Sequence, residues 1–457
     1  MTRGADAVRS FARAAVLLVA IASVARARIV TVPDPMAIDY VYLRNGMKVI
    51  LAPDRAASSV VVHVRYEAGA AIERSVESGY TALLAKLMTA GSVHVKDFDA
   101  RIDAVGGWTT STATSDYLAV TDQAPANALE LVLWLEAERM AGLATGITPE
   151  GVATAREALY AEWRAAYVDE PYALATRELQ RALWTGPLAA QANPVLGDGY
   201  AAHVANEGAV RWFASERLTP NNATVVVAGR FDPVATKKLV ERYFSWIPTR
   251  ETKTGRGNLW VAPRDSAVEV TVKDPIAKVI VAFRCEPFDP AIEVIAQLLS
   301  GGPSSRLWRR LVDGKLATDV HAEIVRQRAG ELRIEATPAP GVDPAKLGAA
   351  IRAEIAALRA PLPGSPHNEK LRIEPPSSDE VARAVAAVET EFLVAAENLA
   401  VRADMLASWS AYSGGGPLLS EWRARLRKRG VDELQRTLWK WLADSASVTV
   451  IARPEAP

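Results

Sequence analysis

The sequence has almost no cysteine, little histidine and no dense basic run. Cys285 is the only cysteine among 457 residues, which excludes a disulfide within the chain and a cysteine-rich metal site. Lysine plus arginine equals aspartate plus glutamate at 53 each, so no overall charge favours nucleic acid. No two histidines have the four-residue spacing of metal ligands on a helix. The five histidines are His63, His94, His203, His321 and His367.

The only long apolar run lies near the N-terminus. Residues 14–25 (AAVLLVAIASVA) follow three arginines and lead into Ala25-Arg26-Ala27, an A-x-A cleavage pattern. About a dozen apolar residues are too few for a membrane anchor, the alternative interpretation, since a span needs roughly 20. The pattern predicts a signal peptide at residues 1–27. An exported chain without a disulfide framework indicates a secreted protein of the bacterial periplasm.

Periodicity and turn signals predict strands and helices in one chain, an α+β fold. Residues 40–51 predict a hairpin around an Asn-Gly turn, and residues 60–66 alternate like a strand with two unlike faces. Residues 79–88 predict a helix, which glycines precede and follow. Residues 108–121 are rich in β-branched and aromatic side chains, which predicts a strand pair or one long strand.

The order of predicted elements begins again in the second half. Residues 248–256 (PTRETKTGR) are polar and lack an apolar period, which is typical of a linker. The predicted organisation is therefore a first domain at residues 35–247, a linker at 248–262 and a second domain at 263–457.

Five segments carry a pattern that is more specific than element order. They are LRNGMKVILAPD, GYTALLAKLMTAGS, GGWTTSTATSDYLAVTDQAPANALELVLWLEAERM, RLTPNNATVVVAGRFDP and SGGPSSRLWRRLVDGKLATDV. Together they resemble the insulinase/pitrilysin metallopeptidase family, whose zinc motif is an inverted H-x-x-E-H. The resemblance implies two structurally similar domains, each a mainly antiparallel sheet packed with helices, that form half of a clamshell.

The resemblance places the family's zinc site on residues that cannot form it. The two zinc histidines fall on Ala82 and Lys86, and the general-base glutamate falls on Ala85. Alanine has no donor atom, and a protonated lysine repels a cation. The family's third ligand falls on Glu162, which is retained. Apart from the family, Glu162 is interpreted as a carboxylate that is solvated or paired with a nearby arginine, and Ala82 and Ala85 as ordinary helix formers.

The family also uses an arginine and a tyrosine of the second domain to hold the substrate backbone. These positions fall at or near Val312 and at Thr318. Arg309 and Arg310 lie close enough in sequence for a shifted register to supply a guanidinium. We therefore expect no catalytic residue, no metal site and no cofactor, although the family implies zinc.

An edge strand is the expected binding feature. In the family, an edge of the sheet near the zinc accepts substrate as an added strand, and main-chain hydrogen bonds suffice for this. The alternative is a merely capped edge. The residues of the candidate strand are Trp108, Thr109, Thr110, Ser111 and Thr112.

The favoured function is a non-catalytic homologue of the zinc peptidases that acts as partner subunit or peptide-binding half of a periplasmic peptidase complex. Its expected partners are an active peptidase subunit of the family and peptides or unfolded polypeptide, without nucleic acid and without a membrane span after signal cleavage. One alternative is a stand-alone peptide-binding or assembly module of the cell envelope. The least favoured is an active peptidase with an unconventional site.

Overall fold

The structure is a computed structural model that describes residues 38–250, 265–360, 373–412, 418–443 and 446–455. Within it, the chain from Ile38 onward forms one compact unit. The predicted signal peptide at residues 1–27 and most of the predicted linker lie outside the described residues. The assignment of domain boundaries stays a prediction.

The first half is built on a six-stranded sheet with the order β1-β2-β6-β3-β5-β4. Strands β2 and β6 run parallel, and the other neighbours are antiparallel. The predicted hairpin is confirmed as β1 and β2, and residues 108–121 fall on a strand pair, β4 and β5. The strands are β1 (Asp39–Tyr42), β2 (Lys48–Pro53), β3 (Ser59–Tyr66), β4 (Trp108–Ala113), β5 (Leu118–Pro125) and β6 (Ala223–Gly229).

Eight α-helices of the described residues belong to the first half. Four of them begin at a side-chain cap, namely Asp97, Thr148, Asn206 and Asp232. The helices are α1 (Tyr80–Leu87), α2 (Phe98–Asp103), α3 (Leu129–Gly146), α4 (Pro149–Arg164), α5 (Ala173–Leu183), α6 (Tyr200–Val204), α7 (Glu207–Arg217) and α8 (Pro233–Phe244).

The second half is built on a five-stranded sheet with the order β7-β11-β8-β10-β9. Here β7 and β11 are the parallel pair. The strands are β7 (Ser266–Val272), β8 (Lys278–Cys285), β9 (Ala317–Val325), β10 (Gly330–Pro338) and β11 (Ser447–Pro454). The helices are α9 (Pro290–Ser300), α10 (Pro344–Ala357), α11 (Ser378–Glu397), α12 (Leu399–Tyr412), α13 (Leu418–Arg427) and α14 (Val431–Trp441).

The two sheets repeat the same arrangement. The run β2-β6-β3-β5-β4 matches β7-β11-β8-β10-β9, with one parallel pair at the same place in each. The predicted α+β fold of two similar, mainly antiparallel sheets packed with helices is therefore confirmed.

Each half lends one helix to the other. α12 lies across β3 and β6 of the first sheet, whereas α5 lies across β7, β8 and β11 of the second. The apolar side chains of α5, such as Leu179 and Leu183, share a core with Ile280 and Val450 of the second sheet. Each sheet therefore packs against a helix of the other half, and these contacts hold the two halves together.

The described helices can be compared with the length and apolar character of a membrane span. Among the residues that the structure describes, no helix combines the length and apolar character needed to cross a bilayer.

Candidate functional site

The helix α1, which carries the degenerate metal positions, starts from a capped turn. Gly79 at its N-cap has φ of +86°, a left-handed conformation that favours glycine, and a Cβ there would come within 2.9 Å of the Leu196 carbonyl oxygen. The Glu73 carboxylate accepts hydrogen bonds from the main-chain N–H groups of Gly79 at 2.7 Å and Thr81 at 2.6 Å. Burial raises the pKa of Glu73 to about 7, although the hydrogen bonds from Thr81 and Gly79 oppose the rise.

Two of the three altered positions on α1 have become part of the core. Ala82 is 2% exposed and Ala85 is 5% exposed, and both lie in the main hydrophobic cluster of the first half. A methyl group at each place packs closely and offers no lone pair. The main-chain oxygen of Ala85 accepts a hydrogen bond from Ser111 Oγ at 2.6 Å, which ties α1 to β4.

The third altered position forms an ion pair with the retained one. Lys86 Nζ of α1 contacts Glu162 Oε2 of α4, and both side chains are partly exposed. Glu162 is interpreted from the sequence as solvated or paired with an arginine; its side chain is partly exposed, and the cation that contacts it is Lys86. The ammonium thus contacts the carboxylate that would otherwise face an ion.

These residues do not fit zinc. Glu162 is the single remaining donor, and Lys86 already engages it. Structural and catalytic zinc sites take three or four protein ligands. Nowhere in the described part of the chain do three or more His, Cys, Asp or Glu side chains group as a metal site would require. No hydrolytic step through zinc can be derived from this arrangement.

The predicted binding strand β4 is an edge of the first sheet. It pairs with β5 in the register Trp108↔Gln123 to Ala113↔Leu118, and no other strand of the described residues pairs with it. Its side chains alternate, with Trp108, Thr110 and Thr112 exposed. An edge strand presents a row of main-chain N–H and C=O groups on its outer side, and an added strand could pair with them.

The two second-half positions do not supply the family's pair. Val312 ends a π-helical turn (Trp308–Val312), and Thr318 Oγ1 donates to the Thr337 carbonyl oxygen at 3.4 Å. Arg309 Nη2 lies 3.6 Å from Glu380 of α11. The supply of a guanidinium by a shifted register stays a prediction.

Sequence reasoning missed a polar network between β3 and α12. Arg65 is fully buried and donates to Glu67 at 2.8 Å, to Ser408 at 3.0 Å and to the Tyr412 hydroxyl at 3.1 Å. Its guanidinium also lies 3.7 Å from the centre of the Tyr117 ring. Burial lowers the pKa of Arg65, but Glu67 and Tyr412 outweigh burial and raise it overall. The group stays charged.

The same network continues to two aspartates. Tyr412 donates to Asp116 at 2.5 Å, and Tyr117 donates to Asp404 at 3.0 Å. His63 Nδ1 lies 2.9 Å from Thr121 Oγ1, and its Nε2 lies 3.7 Å from Asp404 Oδ1. The sequence indicated this network only through the alternation of His63 and Arg65 with valines along β3. That alternation predicts a polar face of the strand but does not indicate which element packs on it.

One segment of the chain matches a known family. Residues 206–363 match the model of the peptidase M16 inactive domain. No protein with curated annotation matches the chain.

Solved structures match over nearly the whole chain. A protease from Helicobacter pylori superimposes with a TM-score of 0.79 at 19% identity, covering 92% of this chain and 100% of that one. The M16 inactive domain from Pseudomonas fluorescens gives a TM-score of 0.78 at 16% identity, covering 92% and 98%. The periplasmic protease PqqL from Escherichia coli gives 0.70 at 16% identity, covering 92% of this chain and 48% of that one. At such identities the superpositions show the fold.

The domain match and the shared fold identify the class of protein. Residues 206–363 match a domain of M16, another name for the insulinase/pitrilysin family, and the chain has the fold of solved M16-like structures.

Proposed function

We propose that this protein is the non-catalytic partner subunit, or peptide-binding half, of a periplasmic peptidase complex. Its active partner would be a relative with an intact H-x-x-E-H motif. The observation that carries the proposal is the Lys86–Glu162 ion pair, with Ala82 and Ala85 buried beside it. A fold that keeps its sheets while its metal site is filled by an ammonium is suited to binding and assembly rather than to hydrolysis.

The match to one half of PqqL supports a role as half of a larger assembly. The chain matches 92% of the first half of PqqL but only 48% of the longer PqqL chain. A unit of this size therefore occurs in that peptidase beside more chain of similar length. The family's clamshell principle likewise sets such a unit beside a second one.

Peptide binding at β4 is the second part of the proposal. The strand is an edge, its outward side chains are small except for Trp108, and Ser111 holds it against α1. Main-chain hydrogen bonds supply most of the affinity in strand addition, so loss of the zinc ligands does not remove it. The same edge favours the alternative of a stand-alone peptide-binding module of the cell envelope.

Co-purification from the native host tests the partner role. The full chain, tagged at its C-terminus, should bring down a stoichiometric M16 relative with H-x-x-E-H from the periplasmic fraction, and the mature chain should begin at residue 28. Peptidase activity of the isolated pair should fall when this subunit is removed. Recovery of the chain alone, or of a partner whose activity does not depend on it, would refute the partner role.

Hydrogen–deuterium exchange tests the peptide role. An unfolded probe, reduced and carboxymethylated α-lactalbumin, should protect the amides of β4. The strand β1 is the matched control, because it is the other edge of the same sheet. Equal protection of β1 and β4, or none at β4, would contradict strand addition.

A further inference from the structure

A cavity of about 720 Å³ lies in the second half, beside the polar network. Its walls come from α9, β9, α11 and α12, and Tyr117 of the first half closes one side. Ligand sites for small molecules usually measure a few hundred to about a thousand Å³. None of the positions carried over from the peptidase family lines it, so it is separate from the degenerate metal site.

Aromatic rings form one side of this cavity. Phe288 stacks on Tyr412 with ring centres 5.3 Å apart and meets Trp409 edge-on at 6.0 Å. Phe392 stacks on Trp409 at 5.7 Å. Such a cluster gives apolar area and electron-rich ring faces within a fixed frame.

Carboxylates outnumber cations around the rest of the cavity. Glu293 and Arg326 pair at 2.9 Å and neutralise one another. Glu323, Glu391 and Asp404 also line the cavity, and Glu323 faces Arg333 only at 3.5 Å. An anion would therefore be repelled, whereas a cation would meet excess negative charge close to aromatic rings.

One of these carboxylates is held in place before any ligand arrives. Asp404 accepts the Tyr117 hydroxyl hydrogen bond at 3.0 Å, and the Tyr117 ring lies on the buried Arg65. Its side chain is nevertheless 43% exposed. Because this carboxylate is already held in one position and one side of it is open, little side-chain entropy is lost when it binds a hydrogen-bond donor.

We propose that this cavity binds an organic cation carried on an apolar arm, namely an ammonium or guanidinium group. The apolar arm would lie along Phe288 and Trp409, and the charged head would meet Asp404 and Glu391. A basic side chain of a peptide and a free polyamine share this chemistry. The inference goes beyond the proposed function, because it requires neither the β4 edge nor a partner subunit.

Isothermal titration of the full chain tests the proposal with three probes. They are an acetylated and amidated tripeptide Gly-Lys-Gly, the same peptide with norleucine in place of lysine, and spermidine. The lysine peptide or spermidine should bind at least roughly tenfold more tightly than the norleucine peptide, since hydrogen bonds to charged groups discriminate by about that much. Whichever of the two cations binds more tightly identifies the source. Equal binding of the lysine and norleucine peptides, with spermidine no tighter than either, would overturn the proposal.

Substitutions locate the cation. Glu391→Gln and Asp404→Asn should each weaken its binding roughly five- to tenfold while keeping side-chain shape. Glu397→Gln is the matched control, because Glu397 is an exposed carboxylate on the same helix as Glu391 and does not line the cavity. Cation binding that is unchanged in both cavity variants, or weakened equally by the control, would place it elsewhere and overturn the proposal. Because none of these residues is in β4, failure here leaves the peptide proposal standing.

Discussion

The two halves share a framework but differ in the polar chemistry placed on it. Strand β3 and strand β8 are central strands of eight residues, and each carries a buried arginine at its seventh position, Arg65 and Arg284. Each arginine reaches a segment lent by the other half, Arg65 the side chains of α12 and Arg284 the Leu183 carbonyl oxygen that ends α5.

The difference begins two residues earlier. The fifth position is His63 in β3 and Ala282 in β8, and only the first half combines its arginine with a histidine and Asp404. The degenerate metal helix α1 also belongs to the first half. The two halves therefore keep the same strand order and the same exchange of a helix although their polar residues differ, because packing maintains the framework.

The largest effect should be the gain of zinc affinity when the family's metal ligands are placed on α1. The first half would then differ from the second by a metal site. The triple change Ala82→His, Ala85→Glu and Lys86→His should create zinc affinity with a dissociation constant of about 1 μM or tighter, on the order of 8 kcal/mol. Equilibrium dialysis with circular dichroism to confirm folding measures it.

The control for the rebuilt site adds Glu162→Gln. That fourth change should abolish most of the gain if Glu162 is the retained ligand position. A folded triple variant without zinc, or zinc binding that survives the fourth change, would count against the assignment of residues on α1 and α4.

The next effect separates the two buried arginines. Arg65→Ala removes the charge that the Glu67 carboxylate and the hydroxyls of Ser408 and Tyr412 share, and should lower the free energy of unfolding by about 3–5 kcal/mol. Arg284→Ala mainly removes donors to Leu183 and should cost about 1–3 kcal/mol. Urea unfolding of both variants checks this order. Equal losses would mean that the two networks are energetically equivalent.

The next effect is a pH dependence that comes from a histidine of the first half. Burial lowers the pKa of His63 to about 4, with Asp404 opposing and Arg65 reinforcing the fall. The unfolded chain therefore takes up its proton near pH 6.5 and the folded chain only near pH 4, so stability from this group is lost as pH falls through that window. The loss is about 3 kcal/mol at most.

The variant His63→Gln isolates that contribution. Glu73, whose pKa is raised to about 7, acts in the opposite direction over part of the same range, since its folded form takes up the proton first. Unfolding free energies of the protein and the variant should therefore be subtracted at each pH between 7 and 4. A difference that does not change with pH would show that His63 is not held neutral.

The smallest effect concerns the ion pair between Lys86 and Glu162. Lys86 and Glu162 are about one-third and one-half exposed, so solvent screens their attraction. A double-mutant cycle with Lys86→Met and Glu162→Gln should give a coupling of about 0.3–1 kcal/mol. A coupling of several kcal/mol would show that the pair is a main element of stability.

Local patterns predicted much of the framework but little of the contacts across the halves. The hairpin at Asn45-Gly46, the alternation of β3 and the helix after Gly79 follow from neighbouring residues. The cover over the polar face of β3 comes from α12, more than 300 residues further along the chain. No local rule indicates such a contact.

The candidate site shows the same limit. The family pattern located Ala82, Ala85, Lys86 and Glu162, and donor chemistry sufficed to exclude zinc. The cation that contacts Glu162 depends on how α1 and α4 pack. That cation is Lys86 rather than an arginine. The cavity near Trp409 could not be anticipated, because its walls come from four elements and a turn of the other half.

The most direct test is the zinc content of the unmodified chain after dialysis against zinc, measured together with hydrolysis of a peptide library. An ammonium in contact with Glu162 predicts no stoichiometric zinc and no hydrolysis by this chain alone. A stoichiometric zinc that disappears in Glu162→Gln, with peptide cleavage that disappears with it, would contradict the account.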